Sequence, residues 1–320
     1  MRDARRIAVL MGGPSQEHAI SLKSGRGVVE ALTRRGWRVE ALVVPESLAM
    51  EEASAFTARA LQRLGAEVAF IALHGRFGED GIVQQVCEAL HLAYTGSDPE
   101  ASRLGMDKIA SRRRFEEAGL RVPRWRSIDP QDPQTLHAAL AQIPLPVVIK
   151  PADQGSSLGV SLVREPRALA EALAQAGAFS RSVLIEEFVA GRELTVGVVG
   201  DRALPAVEIR AHQPFFDYTA KYTPGMTDYL VPAPLAPLLE RAVQEAALAA
   251  HRALGCRHLS RADMILTPDG VPVVLELNTI PGFTPTSLLP KAAACAGLSY
   301  DALCEQLVLM AAHDLLQVAG

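Results

Sequence analysis

Cysteine is scarce in this chain. Cys87, Cys256, Cys295 and Cys304 are the only four, with no CxxC spacing and no companion histidine cluster. A thiolate zinc site and a disulfide framework are therefore excluded as organising features, and the four read as buried or incidental thiols of a reducing compartment. A surplus of one charge is also missing: 32 Lys and Arg stand against 36 Asp and Glu, the basic residues scattered along the chain. Nothing offers the basic face that nucleic acid requires. The triplet Arg112-Arg113-Arg114 falls in a helical pattern and is expected to be a solvated face. No apolar stretch is long enough to span a bilayer. The N-terminal MRDARRIAVLMGG only imitates a signal peptide, because its apolar run is short and meets Gly12-Gly13-Pro14. These absences point to a cytoplasmic protein with neither nucleic acid nor membrane as partner. Two nucleotide fingerprints are missing as well. GxGxxG does not follow the first strand, and Pro14 removes an N–H donor, so a dehydrogenase is the weakest reading. GxxxxGK[ST] is absent altogether.

What is present is length and pattern. The chain has 320 residues, enough for two or three domains with formed cores. The first hundred residues alternate strand and helix: Ile7–Met11, Ser21–Arg35, Arg38–Val44, Glu51–Leu64, Glu67–Leu73 and Gly81–Leu90. That rhythm predicts a doubly wound parallel sheet, with ligands at the carboxyl ends of its strands. Two loops fall there, one from Gly12 to Glu17 and one from His74 to Gly81. The stretch from Thr95 to Gly105 reads as a boundary. A helix from Asp107 to Gly119, a strand Val147–Lys150 with return strand Val160–Val163, and strands Val183–Glu187 and Glu193–Val199 then form a small mixed unit. A long polar-aromatic loop (Arg210 to Tyr229), an amphipathic helix (Leu238 to Leu254), a hairpin and terminal helices complete the chain.

The hairpin carries the strongest chemical signal. In HLSRADMIL, Arg261 and Asp263 are two apart, and in VPVVLELN so are Glu276 and Asn278. Residues two apart in a strand share a face, and Pro268-Asp269-Gly270 is a turn joining the two strands. Three hard oxygen donors beside an arginine suit Mg²⁺, which completes its shell with substrate phosphates. Upstream, Lys150 ends a strand and opens the loop Pro151–Gly159, whose small residues and hydroxyls, Ser156 and Ser157 among them, can wrap phosphate oxygens. A strand follows this loop, not a helix, so the reading is a hairpin flap closing over phosphates. The segment Glu186-Glu187-Phe188-Val189 before Gly191 and Glu193 looks like a hinge whose backbone could meet an adenine edge, with Glu193 at ribose hydroxyls. Taken alone, Glu17 does no more than stabilise a helix N-terminus, by ~0.3–1 kcal/mol, and His74 is a lone histidine at a strand end.

Together, GGPSQEHAISLKSG, ALHGRFGEDG, MDK, KPADQGSSLGV, GRELTVGV, FFDYTAKY, SRADMI and ELNTIPGFTPTSLLP resemble, in order and over almost the whole chain, the D-alanine–D-alanine ligases of the ATP-grasp superfamily. The resemblance implies an α/β ATP-grasp fold: an N-terminal domain (1–104) contributing to the first substrate site, a central subdomain (105–190) with the phosphate flap, and a C-terminal subdomain (191–320) with metal site, lid and second substrate site. It also implies ATP and two Mg²⁺, for which Mn²⁺ could substitute, D-alanine as substrate, and a homodimer. By the same resemblance Lys108, Lys150 and Ser157 contact ATP phosphates, and Lys221 neutralises the transferred phosphate. Glu186, Val189 and Glu193 take adenine and ribose, with Phe188 and Phe215 bracketing the base. Asp263, Glu276 and Asn278 hold the metals. Glu17 takes the ammonium of the first D-alanine, linked through Ser156 to Tyr222, with His74 nearby. Arg261 and the N–H of Gly282 form an oxyanion site, and Ser287 with the N–H of Leu288 takes the second carboxylate. The sequence departs from common family patterns at Ala19, Asp153-Gln154, Leu158 and Thr286. Thr286 bears on how the second carboxylate is held, and Asp153 is expected to face solvent. Tyr222 favours D-alanine over D-lactate as second substrate. A D-alanine–D-lactate ligase is the nearest alternative, and a non-catalytic nucleotide-binding module the alternative from another class.

Overall fold

The computed structural model describes residues 5–155, 158–212 and 226–318. Among them lie three sheets. The first is parallel, in the order β2 (Arg38–Val44), β1 (Arg6–Gly12), β3 (Val68–Ile71), β4 (Ala93–Tyr94). Alternation along β1 supplies two cores. Ile7, Val9 and Met11 join one apolar cluster, which takes in α1 (His18–Arg34). Ala8 and Leu10 join another, with α2 (Met50–Leu64) and α3 (Ile82–Ala89). Helices on both faces are what make a buried, near-continuous apolar strand like Ile7–Met11 stable. The cover on the first face is completed from the far end of the chain, by Leu303, Leu307, Val308 and Ala311 of the last helix, Tyr300–Val318.

The Thr95–Gly105 stretch, expected to be a boundary, contains the helix α4 (Pro99–Met106). Its start is specified locally: Asp98 accepts a hydrogen bond from the Ala101 N–H, and Pro99 sits in the first turn, where its missing N–H costs nothing. The helix α5 (Lys108–Glu117) follows at once, with the Asp107 carboxylate accepting from the N–H groups of Ile109 and Ala110.

The second sheet is antiparallel, in the order β5 (Trp125–Ile128), β8 (Val183–Glu187), β6 (Val147–Pro151), β7 (Ser161–Val163). Helices α6 (Pro133–Gln142) and α7 (Leu169–Gly177) cover one face through Ala139, Ala172, Leu173 and Ala176. The expected mixed unit is thus corrected twice. No parallel pair occurs in this sheet, and β9 (Arg192–Val199) leaves it to pair with β13 (Leu259–Leu266) and β11 (Val207–Ala211). That third sheet runs β12 (Thr227–Leu230), β11, β9, β13, β14 (Pro272–Asn278), with the short β10 (Arg202–Ala203) on β9. The amphipathic helix α8 (Pro237–Ala253) covers it through Val243, Ala246, Ala247 and Ala250, and Phe115 of α5 enters the same cluster. Helix α9 (Leu288–Cys295) leads into α10 (Tyr300–Val318). No described helix is long and apolar enough to cross a membrane. Cys87 and Cys304 are buried free thiols, and Cys295 is an exposed one.

Candidate active site

A cleft of about 760 Å³ opens between the second and third sheets, and loops from the first sheet close one end. The β13–β14 hairpin builds its floor. Arg261 pairs across the ladder with Asn278 and Asp263 with Glu276, and a register shift follows at Asp263/Met264. The four side chains expected on one face therefore meet there. Arg261 donates from Nε to Asp263 Oδ1 (2.8 Å) and from Nη2 to Oδ2 (2.7 Å). Asn278 Nδ2 donates to Oδ2 at 3.1 Å and Thr195 Oγ1 to Oδ1 at 2.5 Å. Thr195 escaped sequence reading because its strand neighbour in space is 68 residues away in the chain.

The opposite wall carries lysines. Lys108 Nζ lies 3.2 Å from Glu276 Oε2 and donates to the Gln154 carbonyl at 2.7 Å, so it ties the hairpin floor to the loop that follows Lys150. Lys150 Nζ lies 2.8 Å from Glu186 Oε2, both side chains almost fully buried. Burial pushes the Lys150 ammonium down to about 8, with Glu186 pulling the other way. Burial alone would raise the Glu186 carboxyl, but Arg112 and Lys150 outweigh it and hold it below the usual range. The Glu186 carboxylate is therefore engaged by cations, and any contact it makes with a base comes from its backbone. Phe188, Val189 and Glu193 line the same cleft, and the Phe188 ring already carries the Arg164 guanidinium at 5.3 Å from its centroid.

Arg112 corrects the sequence reading. It is 1% exposed, where a solvated face was expected, while Arg113 and Arg114 are exposed. A run of like residues on a helix cannot share one environment, since each turns about 100° from the last. Arg112 points inward with Ser111 and Phe115, which are buried too.

Glu17 and His74 sit at the first sheet's carboxyl edge, as do the loops expected there. Glu17 occupies the N-cap position of α1 without capping through its side chain. A Cβ on residue 75 would lie 2.9 Å from Glu17 Oε2 and 2.3 Å from Ser15 Oγ, so glycine at 75, at φ +73°, makes room for that carboxylate. His74 Nε2 is 2.9 Å from Ser24 Oγ, and Nδ1 is 3.6 Å from Glu79 Oε1. At the other end, Gly282, Thr286, Ser287 and Leu288 line the cleft at the start of α9. Ser287 Oγ accepts from the Thr284 N–H at 3.0 Å. Asp153, expected in solvent, is only partly exposed, and its Oδ2 meets Arg76 Nη2 at 3.4 Å. Ser156, Ser157, Phe215, Lys221 and Tyr222 lie outside the described residues.

The second sheet, bearing Lys150, faces the third sheet, bearing Asp263, Glu276 and Asn278, with Lys108 of α5 bonded to both sides and a doubly wound parallel domain at the open end. This is the ATP-grasp class of α/β proteins. Family models described as the D-ala D-ala ligase N-terminus and C-terminus match residues 44–97 and 115–309. The chain is 44% identical over 311 residues to a D-alanine–D-alanine ligase of Desulforudis audaxviator, covering 96% of this chain and 98% of that one. It is 42% identical over 315 residues to the same-named protein of Geotalea uraniireducens, covering 98% and 97%. The D-alanine–D-alanine ligase of Bacillus anthracis superposes with a TM-score of 0.84 at 31% identity, covering 98% of this chain and 100% of the other. A crystal structure of that enzyme complexed with ATP superposes equally well. So does the VanG D-Ala:D-Ser ligase of Enterococcus faecalis, with a TM-score of 0.84 at 28% identity, covering 97% and 100%. The chain belongs to the D-alanine–D-alanine ligase family.

Proposed function

We propose that this enzyme joins two D-alanines to D-alanyl-D-alanine, converting ATP to ADP and phosphate, and so supplies the dipeptide of peptidoglycan precursors. The observation that carries the reading is one cleft holding a lysine wall, an oxygen-donor floor and, beyond them, Glu17 and the start of α9. A carboxylate acylates poorly because oxide is a poor leaving group. Transfer of the γ-phosphoryl to the first D-alanine carboxylate replaces it with phosphate. The neutral amine of the second D-alanine then adds to the carbonyl, and the tetrahedral oxyanion collapses with loss of phosphate and of the proton from the attacking nitrogen. Neither step needs a protein nucleophile; both need negative charge stabilised in place.

In this division of labour Lys108 and Lys150 hold phosphate oxygens, with Ser157 and Lys221 from the undescribed segments. Glu193 meets ribose, and Phe188, Val189 and Phe215 surround the base with the Glu186 backbone. Glu17 takes the first ammonium, with Ser156, Tyr222 and His74 around it. Arg261 and the Gly282 N–H meet the oxyanion, and Ser287 with the Leu288 N–H takes the second carboxylate. The loop around Tyr218 to Tyr222 serves as lid, keeping water from the acyl phosphate. The three parts of the chain act as 1–104, 105–190 and 191–320, the protein works in the cytoplasm, and two copies associate.

Asp263, Glu276 and Asn278 fit Mg²⁺ in donor type. They offer hard oxygens and too few to complete an octahedron, so phosphate oxygens have room to enter. All the acceptor capacity of Asp263 is used by Arg261, Thr195 and Asn278. Asn278 is the partner that can exchange that bond for one to the ion through its own amide oxygen. When bound, the metal neutralises charge on the phosphates.

A likeness of equal TM-score to a D-Ala:D-Ser ligase favours one second reading, ligation of D-alanine to another D-configured acceptor; D-lactate is a further such acceptor. The test is ADP and phosphate release from MgATP with D-alanine, L-alanine, or D-alanine plus D-serine or D-lactate, with products weighed by mass spectrometry. Dipeptide from D-alanine alone, with L-alanine inert, supports the proposal. A mixed product as the main species moves the assignment to the second reading, and no turnover with any of them overturns both.

A further inference from the structure

We propose that Arg112 is a positioning residue for Lys150, acting through Glu186, and so sets the phosphate affinity of the cleft from beneath it. The inference rests on the nucleotide reading of the cleft. Arg112 does not line the cleft, but Lys150 and Glu186 do. The guanidinium directs Nε (3.1 Å) and Nη2 (2.7 Å) to the same oxygen, Glu186 Oε1. Its third nitrogen, Nη1, donates to the Val274 carbonyl at 2.5 Å. Glu186 is thereby pinned with only Oε2 turned toward Lys150, which it meets at 2.8 Å. Among the described residues Glu186 is the ion-pair partner of Lys150, which lines the cleft and has further N–H donors to offer a ligand there.

The arrangement spans two sheets. Glu186 belongs to the second sheet, and Val274, two residues before Glu276, to the third. Lys108 and Arg112 stand four apart on one face of α5, and each bridges these sheets, Lys108 through Gln154 and Glu276, Arg112 through Glu186 and Val274. The buried group of Arg112, Lys150 and Glu186 also carries one net positive charge in a site of low dielectric, which favours a polyphosphate. Removing Arg112 leaves Glu186 Oε1 buried without its donors. The carboxylate is then free to rotate and to hold Lys150 by both oxygens, drawing the ammonium back against the second sheet and away from the cleft. A lysine at 112 keeps the charge but cannot supply three donors in a fixed fork.

The experiment measures ADP and adenosine binding by titration calorimetry for the parent, Arg112→Gln, Arg112→Lys, Lys150→Met and the Arg112→Gln/Lys150→Met double variant. Thermal melts establish that each is folded. The expected result is at least about a tenfold rise in the ADP Kd for Arg112→Gln, a smaller rise for Arg112→Lys, and an adenosine Kd within about twofold of the parent. Adding Arg112→Gln to Lys150→Met should change ADP affinity by less than about twofold, since the coupling runs through Lys150. If Arg112→Gln does not fold, the Arg112→Lys comparison carries the test. Full recovery of ADP binding in Arg112→Lys would overturn the inference, because charge alone would then suffice. Equal losses for ADP and adenosine would also overturn it, as would an undiminished effect in the Lys150→Met background. A parent that binds neither ligand would remove the nucleotide reading itself, and the inference with it.

Discussion

At residue scale the active-site charges act against one another, and single substitutions separate function from stability. Glu276 is partly exposed and holds Lys108 at 3.2 Å. Glu276→Gln keeps the shape, removes the charge that a divalent cation needs, and frees Lys108. Turnover should fall by roughly a hundredfold or more, the range for loss of one electrostatic stabiliser, while the melting temperature stays within a few degrees. Early melting, or full activity, would count against the metal role. Lys150 gives a pH prediction. Its ammonium titrates at about 8 in the free enzyme, against an ordinary value of 10.5. Only the charged form is a good phosphate ligand, and bound phosphate raises its value. Nucleotide affinity should therefore be flat below pH 8 and fall above it, by up to about tenfold per unit. The stability contribution has the opposite sign. The unfolded chain holds the extra proton between the two values, so the burial penalty of Lys150 is complete below pH 8 and is relieved as pH rises from about 8 toward 10.5. Nucleotide titrations at pH 7 and 9, with Lys150→Met as reference, check this; an affinity equally pH-dependent in Lys150→Met would sink it.

At element scale α1 transmits packing to chemistry. Glycine at 25 lets this helix lie directly on β1, where a Cβ would come within 2.5 Å of Met11 Cβ. Alanine there gains up to ~1 kcal/mol in helix propensity but overpacks the contact, at a typical cost of ~1–3 kcal/mol. Gly25→Ala should therefore be net destabilising, seen as a lower urea midpoint at unchanged slope. Because α1 begins next to Glu17, the same variant should raise KM for the first D-alanine more than for ATP. An unchanged KM would mean that the helix relaxes elsewhere. Elements with a strong local pattern were legible in the sequence. The β13–β14 hairpin has a Pro-Asp-Gly turn and two pairs of polar residues two apart, and those side chains share a face as that spacing requires. Helix α4 was hidden by Gly96, Asp98, Pro99 and Gly105, which look like loop composition although Asp98 and Pro99 are start signals. The partner sheet of β9 could not be read, because the short hinge after β8 looks the same whether the chain turns back or crosses over. Arg112 was misread for a related reason: composition identifies a basic helix, but only tertiary packing decides which of three consecutive arginines turns inward.

At the scale of the whole molecule, the first sheet depends on both ends of the chain. Its Ile7, Val9, Met11, Val68 and Phe70 share a core with Leu303, Leu307, Val308 and Ala311 of α10. Polar ties accompany this packing: Arg34 donates from Nε (2.9 Å) and Nη2 (2.8 Å) to Asp301, Arg35 pairs with Glu305, and Trp37 Nε1 donates to Glu305 Oε1 at 3.1 Å. Two causes are thus available for the docking of α10, and their magnitudes differ. Exposed ion pairs contribute little, because solvent screens them and ordering the side chains costs entropy. A buried leucine contributes its transfer free energy plus the cavity its loss would leave. Leu307 is fully buried, whereas the Arg34 side chain is 55% exposed. Leu307→Ala should therefore destabilise the protein by roughly 2–5 kcal/mol, while Arg34→Ala leaves the urea midpoint near that of the parent. The first-sheet amides offer a local readout. In Leu307→Ala, hydrogen exchange should accelerate in β1 and β3 together, although neither strand is near position 307 in the chain. Faster exchange confined to α10 would show that the helix frays without the sheet, and that the first sheet is stable without its C-terminal cover.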